Sequence, residues 1–149
     1  MILKTFKEFI IENTIANENI IYDVVPIFNS LGELQIKDKF HLYYKDTEIG
    51  KAYLYVRSLG DLLILNEIEI NKEFRERGYA TKFMKQLIKL ADHMQIKMSL
   101  NPDNYKGSNK ERLKKFYSRF GFCLNKGKDK DYSVSELMIR LPKYQKASL

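Results

Sequence analysis

The stretch LLILNEIEINKEFRERGYAT, residues 62–81, decides the fold because its apolar periodicity changes halfway along. Residues 62–70 form an apolar, β-branched run that ends in strict alternation, which predicts a strand. In residues 78–93 the apolar side chains recur at helical spacing, with lysines on the opposite side, which predicts an amphipathic helix. The sequence therefore predicts a strand that enters a helix through a polar turn.

The turn between this strand and this helix has the composition of a phosphate site. A helix N-terminus presents backbone N–H groups and favours negative charge. Gly78 would let the backbone approach a phosphate closely, and Ala80 is small for the same reason. Arg75 and Arg77 add positive charge. A solvated turn in which Gly78 only caps the helix is the alternative, and the turn alone does not decide between the two.

The flanking sequence predicts the other elements of one α/β domain. Hairpin spacing before the turn predicts an antiparallel meander, and the helical and strand patterns resume after the first long helix. We expect strands at 40–44, 48–57, 62–70, 96–100, 122–124 and 133–141, an edge strand at 20–27 that Pro26 ends, and helices at 1–13, 78–93 and 110–120, the last of them ended by Gly121.

Composition restricts the class of protein. The chain has 149 residues, 44% hydrophobic and 30% charged, which suits one domain and excludes a collagen-like or wholly disordered chain. No apolar run reaches the roughly 18 residues of a membrane span, so no membrane partner is expected. The single cysteine and two distant histidines give no metal-ligand spacing, and we expect no metal. No secretory signal is visible, which favours the cytoplasm.

The net charge of +7 is distributed unevenly. Residues 101–130 carry nine Lys or Arg against three acidic residues, a net charge of +6. Such a basic segment indicates a polyanionic partner, either nucleic acid such as tRNA or a phosphorylated cofactor. A merely solvated basic surface is the alternative.

Two motifs make the chain resemble the GCN5-related N-acetyltransferase (GNAT) family. Arg75, Gly78 and Ala80 match its acetyl-CoA signature, Gln/Arg-x-x-Gly-x-Gly/Ala, and FYSRFGF at 116–122 resembles a second signature, Leu/Phe-Tyr-x-x-x-Gly-Phe. The resemblance covers roughly residues 40–141. It implies a mixed, mostly antiparallel, splayed sheet flanked by helices. Only residues 13–39 remain for the two helices that usually follow the family's first strand, so we expect reduced N-terminal helices.

The resemblance implies acetyl transfer from acetyl-CoA, as cosubstrate, to an amine. Tyr117 matches the tyrosine that donates a proton or a hydrogen bond to the leaving thiolate. Glu67 and Glu69 are candidate bases, since alternation places both on one strand face and a desolvated carboxylate accepts a proton more readily. The residues expected to bind the cosubstrate are Ile68, Ile70, Arg75, Glu76, Arg77, Gly78, Tyr79, Ala80, Thr81 and Asn109.

Several of these residues also have a structural interpretation. Tyr117 lies on an apolar helix face and would then pack in the core. Glu67 and Glu69 would pair with lysines across the sheet, although Glu67 is the preferred base because acidic residues near its position in the family often contact acceptor amines. Cys123 has no histidine partner and is predicted to be a buried core residue.

The first twelve residues, MILKTFKEFIIE, carry a second resemblance. They are similar to the capsid-targeting leader of internal head proteins in T-even-like bacteriophages. This resemblance implies cleavage after Glu12, a single catalytic domain at 13–149, packaging in a phage head and action in the host cytoplasm. An ordinary first helix docked on the sheet is the alternative.

A different class of function stays open at the level of sequence. A non-catalytic basic module could bind nucleic acid or coenzyme A, and Tyr43, Tyr53 and Tyr55 lie on predicted strands where bases stack in such modules. Their neighbours are not strongly basic. The sequence also leaves open the acceptor, whether a protein amine, an aminoacyl-tRNA or a small molecule, and whether the chain forms a homodimer.

Overall fold

The computed structural model describes residues 24–57, 60–103 and 109–143. Within them, one seven-stranded sheet has the order β1-β2-β3-β4-β5-β7-β6, with β4 and β5 parallel and every other neighbouring pair antiparallel. The elements in chain order are α1 (Val25–Ser30), β1 (Leu34–Lys37), β2 (His41–Tyr44), β3 (Thr47–Val56), β4 (Leu62–Ile70), a 3₁₀ turn (Lys72–Phe74), α2 (Tyr79–Met94), β5 (Lys97–Leu100), α3 (Lys110–Ser118), β6 (Cys123–Leu124) and β7 (Met138–Arg140).

The predicted α/β class, with a mostly antiparallel sheet flanked by helices, is confirmed. The meander that ends at β4 and the long helix α2 lie where the periodicity placed them. The expected helix at 1–13, the cleavage point after Glu12 and the first part of the strand at 20–27 lie outside the described residues, so the leader stays a prediction.

Three predicted elements were wrong in part, and one strand was not predicted. The strand expected at 133–141 is only β7, Met138–Arg140, because residues 133–137 belong to the turns of the loop before it. The strand at 20–27 is wrong for its last residues, because Val25 begins α1 and Pro26 occupies the first helical turn, where its fixed φ is favourable. Strand β1 was missed because four residues give almost no periodicity. Helix α3 ends at Ser118, two residues early, because the N–H groups of Phe120 and Gly121 bond three residues back and Gly121 turns the chain at φ +92°.

The core lies mainly on the sheet face that the helices cover, called here the helix face. Leu63 and Leu65 of β4 pack there in one cluster with Phe28 of α1 and with Phe83 and Leu87 of α2. On the opposite face, Leu62 and Ile64 pack against Val134 and Ile139. This second face is called the loop face, because residues 125–137 between β6 and β7 fold against it. Within the described ranges, no helix is long and apolar enough to cross a membrane.

The outer edge of β1 is closed by two side-chain amides. Gln86 of α2 is 5% exposed; its Oε1 accepts from the Leu34 N–H at 3.1 Å, and its Nε2 donates to the carbonyls of Leu34 at 2.9 Å and Phe28 at 2.8 Å. Asn29 bonds both the N–H (2.7 Å) and the carbonyl (3.0 Å) of Ile36 in the same way. These bonds replace a neighbouring strand and fix the sheet edge to α1 and α2.

A second buried polar group joins the other end of the domain. Arg140 of β7 is 2% exposed and donates to both carboxylate oxygens of Asp92 at 2.8 and 2.9 Å, and to the Phe120 carbonyl at 2.8 Å. Although burial by itself would raise the pKa of Asp92, the bonds from Arg140 and from the Lys143 N–H hold it below its usual value. The contact ties the end of α2 to the turn after α3.

We expect Gln86→Met to destabilise the fold by about 2–4 kcal/mol, because it leaves the buried N–H and carbonyl of Leu34 without their partner. The Phe28 carbonyl loses one of its two bonds and keeps the one from the Leu31 N–H. The free energy of unfolding in urea measures this effect. Lys85→Met, at the exposed neighbouring position, should change it by less than about 0.5 kcal/mol. Equal effects of the two substitutions would show that the Gln86 bonds do not hold β1.

Candidate functional site

Strand β4 contains one residue more than its partner strand. Tyr53 pairs with Glu67 and Leu54 pairs with Leu65, so Asn66 is the extra residue of a β-bulge. The bulge reverses the alternation of side chains along the strand. As a result Ile68 and Ile70 pack against the helix-face cluster together with Leu63 and Leu65, although their spacing would otherwise place them on the opposite face.

The sheet forks where this bulge lies. Strand β5 pairs with β4 only through Leu62 to Leu65, and in the described part of the chain β4 continues through residues 66–70 paired with β3 alone. The Asn71 N–H donates to the Ile49 carbonyl at 2.8 Å. In an antiparallel ladder the bonding residues alternate, so the N–H and carbonyl groups of Ile68 and Ile70 point away from β3, toward the fork. Within the described residues, Ile68 and Ile70 therefore form a backbone edge of β4 at the fork.

The turn after β4 has an unusual backbone. From Arg75 to Gly78, φ is −71° at the first residue, +64° at Glu76 and +83° at Gly78, with Arg77 between the two left-handed residues. Alternation of this kind turns successive N–H groups toward one concave side, which suits an anion. An added Cβ at Gly78 would meet no atom within 4 Å, so packing within the chain does not require glycine at this position. The positive φ of the residue does require it.

The turn leads directly into the N-terminus of α2. Gly78 is the N-cap and gives no side-chain cap, and no acidic residue lies in the first turn, at Tyr79, Ala80 and Thr81. The positive end of the helix therefore has no carboxylate in that turn to offset it. The Tyr79 ring packs between Tyr44 and Phe74, with centroids 5.3 and 6.3 Å away, and fixes the angle at which the helix begins.

The charged side chains of the turn are partly held by the protein. Arg75 Nε donates to the Ile70 carbonyl at 2.8 Å, and the Arg77 guanidinium lies 5.7 Å from the centroid of the Phe74 ring. Both arginines are exposed. Asn109 is the N-cap of α3: its Oδ1 accepts from the Glu111 N–H at 2.8 Å, so that oxygen is already used within the chain.

Tyr117 is buried and stays protonated over a wide pH range. Its side chain is 7% exposed, and its ring lies 5.2 and 6.1 Å from the rings of Phe116 and Phe122. Burial, together with the negative charge of Asp103, raises the pKa of Tyr117 to about 12. Full proton transfer from such a phenol to a thiolate of ordinary pKa, about 8.5, would cost about 5 kcal/mol. Donating a hydrogen bond would therefore cost Tyr117 less than releasing its proton.

The two glutamates of β4 have different neighbours. Both lie on the loop face and are half-buried. Glu69 pairs in register with Lys51, whereas Glu67 pairs with Tyr53. The lysine-pairing interpretation therefore suits Glu69, and the register leaves Glu67 opposite a residue without charge.

Sequence reasoning missed Glu136, a third carboxylate near the fork. It lies in the loop between β6 and β7, where it accepts from the hydroxyls of Ser99 and Ser135, each at 2.5 Å. Ser99 is the register partner of Ile64, just before β4 leaves β5. No motif marks this glutamate, because its position depends on how a long loop folds over the sheet.

The prediction for Cys123 was wrong, because the residue is exposed. Phe122 is 3% exposed and turns inward, so the alternation along β6 turns the next side chain outward. The Cys123 Sγ lies 3.6 Å from the Ile139 carbonyl.

The aromatic residues on the loop face have partners within the chain. Lys37 Nζ lies 5.0 Å from the centroid of the Tyr43 ring, and the rings of Phe40 and Tyr53 stack at 4.7 Å. Because Glu67 stands beside Tyr53, this face is not a uniformly basic platform. Nucleic-acid binding stays a prediction.

The sequence matches the model of one protein family. A sequence model described as the acetyltransferase (GNAT) family matches residues 27–122, well over half of the chain. No curated protein is significantly similar in sequence.

Solved structures resemble the chain at low identity. An acetyltransferase of the GNAT family from Staphylococcus aureus Mu50 has a TM-score of 0.52 and 18% identity, covering 93% of this chain and 91% of that one. N-acetylglutamate synthase from Neisseria gonorrhoeae, in complex with coenzyme A and L-arginine, has a TM-score of 0.50 and 14% identity, covering 82% of this chain and 32% of that one. A GNAT acetyltransferase from Elizabethkingia anophelis with acetyl-CoA bound gives 0.47 and 16%, covering 78% and 77%. For the first two structures, the similarity at these identities establishes the fold alone.

We expect the phenol of Tyr117 to titrate near pH 12, as measured by phenolate absorbance. Because burial raises its pKa above the unfolded value of 10, Tyr117 contributes stability that is present below pH 10 and is lost as the pH rises through about 12. The Tyr117→Phe variant should lack both the late titration and this loss. Tyr55→Phe, which removes a tyrosine that is 47% exposed, should retain both. Titration of all tyrosines in one early step would contradict the assignment.

Proposed function

Because the chain belongs to the GNAT acetyltransferase family, we propose that it transfers the acetyl group of acetyl-CoA to the nitrogen of an amine. The observation that carries this proposal is the extension of β4 past the end of β5, directly before a turn with left-handed residues at a helix N-terminus. Acetyl-CoA requires both features next to each other, because its extended thioester arm would pair with the strand edge and its pyrophosphate would bind at the turn.

The chain's backbone would bind most of the cosubstrate. The outward N–H and carbonyl groups of Ile68 and the N–H of Ile70 would pair with the amides of the pantetheine arm, as a further strand does. The N–H groups of residues 76–81 would surround the pyrophosphate, with Arg75 and Arg77 as countercharge. The alternating φ values of the turn and the open space at Gly78 fit this ligand.

The proposed chemistry is direct attack of the amine on the thioester. The acceptor ammonium first loses a proton to Glu67, because only the neutral amine is nucleophilic. The nitrogen then attacks the acetyl carbon, the C–N bond forms and the C–S bond breaks. A hydrogen bond from Tyr117 stabilises the thiolate, which takes the second nitrogen-bound proton. The products are an amide, coenzyme A and one proton released to solvent.

Acetyl-CoA should bind with micromolar affinity or better, roughly −8 kcal/mol, and Gly78→Val should raise Kd by more than about 100-fold. The branched side chain would occupy the space where the phosphates approach and would oppose φ +83°. Isothermal titration calorimetry with acetyl-CoA measures this change.

Gly127→Val is the matched control for Gly78→Val. Gly127 has φ +85° and no atom within 4 Å of an added Cβ, so valine there should cause backbone strain similar to that of Gly78→Val. Gly127 lies in the loop between β6 and β7, outside the phosphate turn. Its acetyl-CoA Kd should stay within about threefold of that of the unmodified protein. Equal loss of affinity in both variants would attribute the effect to strain and would remove the phosphate-turn assignment.

Tyr117→Phe should lower kcat by about 10- to 1000-fold and leave the Kd of acetyl-CoA unchanged, since it removes one positioned donor and little volume. The release of coenzyme A, followed with an amine acceptor in excess, measures the change in kcat. Tyr55→Phe serves as the control with normal turnover. If Tyr117→Phe turns over at the normal rate, Tyr117 is a packing residue and solvent protonates the thiolate.

A further inference from the structure

A cavity of about 330 Å³ lies beside the fork, on the loop face. Its position follows from Asn101, which comes directly after β5 and whose Oδ1 accepts from the Leu137 N–H at 2.7 Å. The polar and charged residues that line it are Asn101, Asn125, Lys130, Tyr132, Ser135 and Glu136. Leu100, the residue before Asn101, pairs with Leu65, so the cavity lies at the end of β5 where β4 diverges from it.

The loop that forms this cavity is fixed to the sheet. Lys97 of β5 pairs with Asp131 at 2.5 Å, and the bonds from Lys97 and Ser133 hold the pKa of Asp131 well below its usual value. Asn125 is buried; its side chain donates to the carbonyls of Asp131 and Val134 and accepts from the Asp131 N–H. These bonds preorganise the walls before any ligand arrives.

The cavity carries two opposite charges that do not pair with each other. Glu136 is bonded to the hydroxyls of Ser99 and Ser135, and Lys130 Nζ lies 5.2 Å from the centroid of the Tyr132 ring. Among the ion pairs of the described residues, none joins Lys130 to Glu136. Two separated opposite charges in one small cavity match a ligand that itself carries both charges.

We propose that the acceptor is a free α-amino acid, an inference that rests on the proposed acetyl transfer. Its α-ammonium binds Glu136, and its α-carboxylate binds Lys130 and the side-chain amide of Asn101, whose oxygen is already used by Leu137. The volume is near the lower end for small-molecule sites, which suits one amino acid. A lysine within a protein offers no carboxylate beside its amine, and the ester of an aminoacyl-tRNA offers none either.

The transfer forms an N-acetylamino acid. The α-ammonium loses one proton to Glu67 and then to solvent, and a second to the leaving thiolate. The new C–N bond replaces the C–S bond, the amide keeps one N–H, and coenzyme A leaves as the thiol. No oxidant, reductant or metal takes part in the balance.

The test uses each free amino acid and its decarboxylated amine, such as lysine with cadaverine and arginine with agmatine, at saturating acetyl-CoA. Coenzyme A release gives KM and kcat, and mass spectrometry identifies the acetylated product. At least one amino acid should have a KM more than about tenfold below that of its decarboxylated amine, as expected for one added charge pair.

Two variants assign this preference to the cavity. Lys130→Met should raise KM for the amino acid by about tenfold or more and for the amine by less than about twofold, while Glu136→Gln should raise KM for both. Lys128→Met, a nearby exposed lysine that does not line the cavity, should change neither. Both effects should appear in KM and leave kcat within about twofold, since the cavity binds and the β4 edge reacts.

Several outcomes would overturn the proposal. Equal KM values for amino acid and amine, or an unchanged preference in Lys130→Met, would remove the amino-acid assignment. Acetylation only of a lysine peptide with a blocked N-terminus, or only of an aminoacyl-tRNA, would do the same while leaving acetyl transfer intact. Failure to bind acetyl-CoA in calorimetry would contradict the proposed function itself.

Discussion

The extra residue in β4, Asn66, is the constraint on which both the core and the site depend. Without the bulge, Ile68 and Ile70 would lie on the loop face, and Glu67 and Glu69 would point into the apolar cluster beneath the helices. Burying two carboxylates there would cost several kcal/mol. The bulge lets one strand bury apolar residues on the helix face along its whole length. The bulge also lies directly after Leu65, the last β4 residue that pairs with β5. The same extra residue therefore keeps the core apolar and marks the point where the fork opens.

Preorganisation on the two sides of the fork has different sources. On the proposed cosubstrate side it comes from the backbone, because the N–H groups of the β4 edge and of the α2 N-terminus are fixed by secondary structure and need no particular side chain. On the loop side it comes from side-chain bonds, among them Lys97 with Asp131 and those of Asn125, which hold an irregular segment against the sheet. A backbone site is specific for the shape and charge of one ligand, whereas a site built from loop side chains changes its ligand when a few residues change.

The sequence predicted the elements whose signals are local. The alternation before Asn71 and the helical spacing after Gly78 placed β4, the turn and α2, and Arg75, Gly78 and Tyr117 were identified from motifs. It failed where the outcome depends on tertiary contacts. Strand β1 is four residues long and is held by Gln86, which is 52 residues away in sequence, so no local pattern could reveal it. Glu136 was missed because the hydroxyl of Ser99, 37 residues earlier, positions it. The bulge does have a signal in the sequence, because the helix-face residues of β4 are at odd positions, 63 and 65, before it and at even positions, 68 and 70, after it. This change of alternation is hard to detect, because residues 62–65 are all apolar.

The protonation state of Tyr117 determines which step of the proposed reaction depends on pH. A phenol whose pKa is about 12 remains a donor at every pH at which the protein would work, so it contributes no titration to the rate in that range. It also does not have to be reprotonated between turnovers, because a hydrogen bond to the thiolate does not consume its proton. The remaining step with a strong pH dependence is removal of the first proton from the acceptor ammonium, because only the neutral amine can attack the thioester.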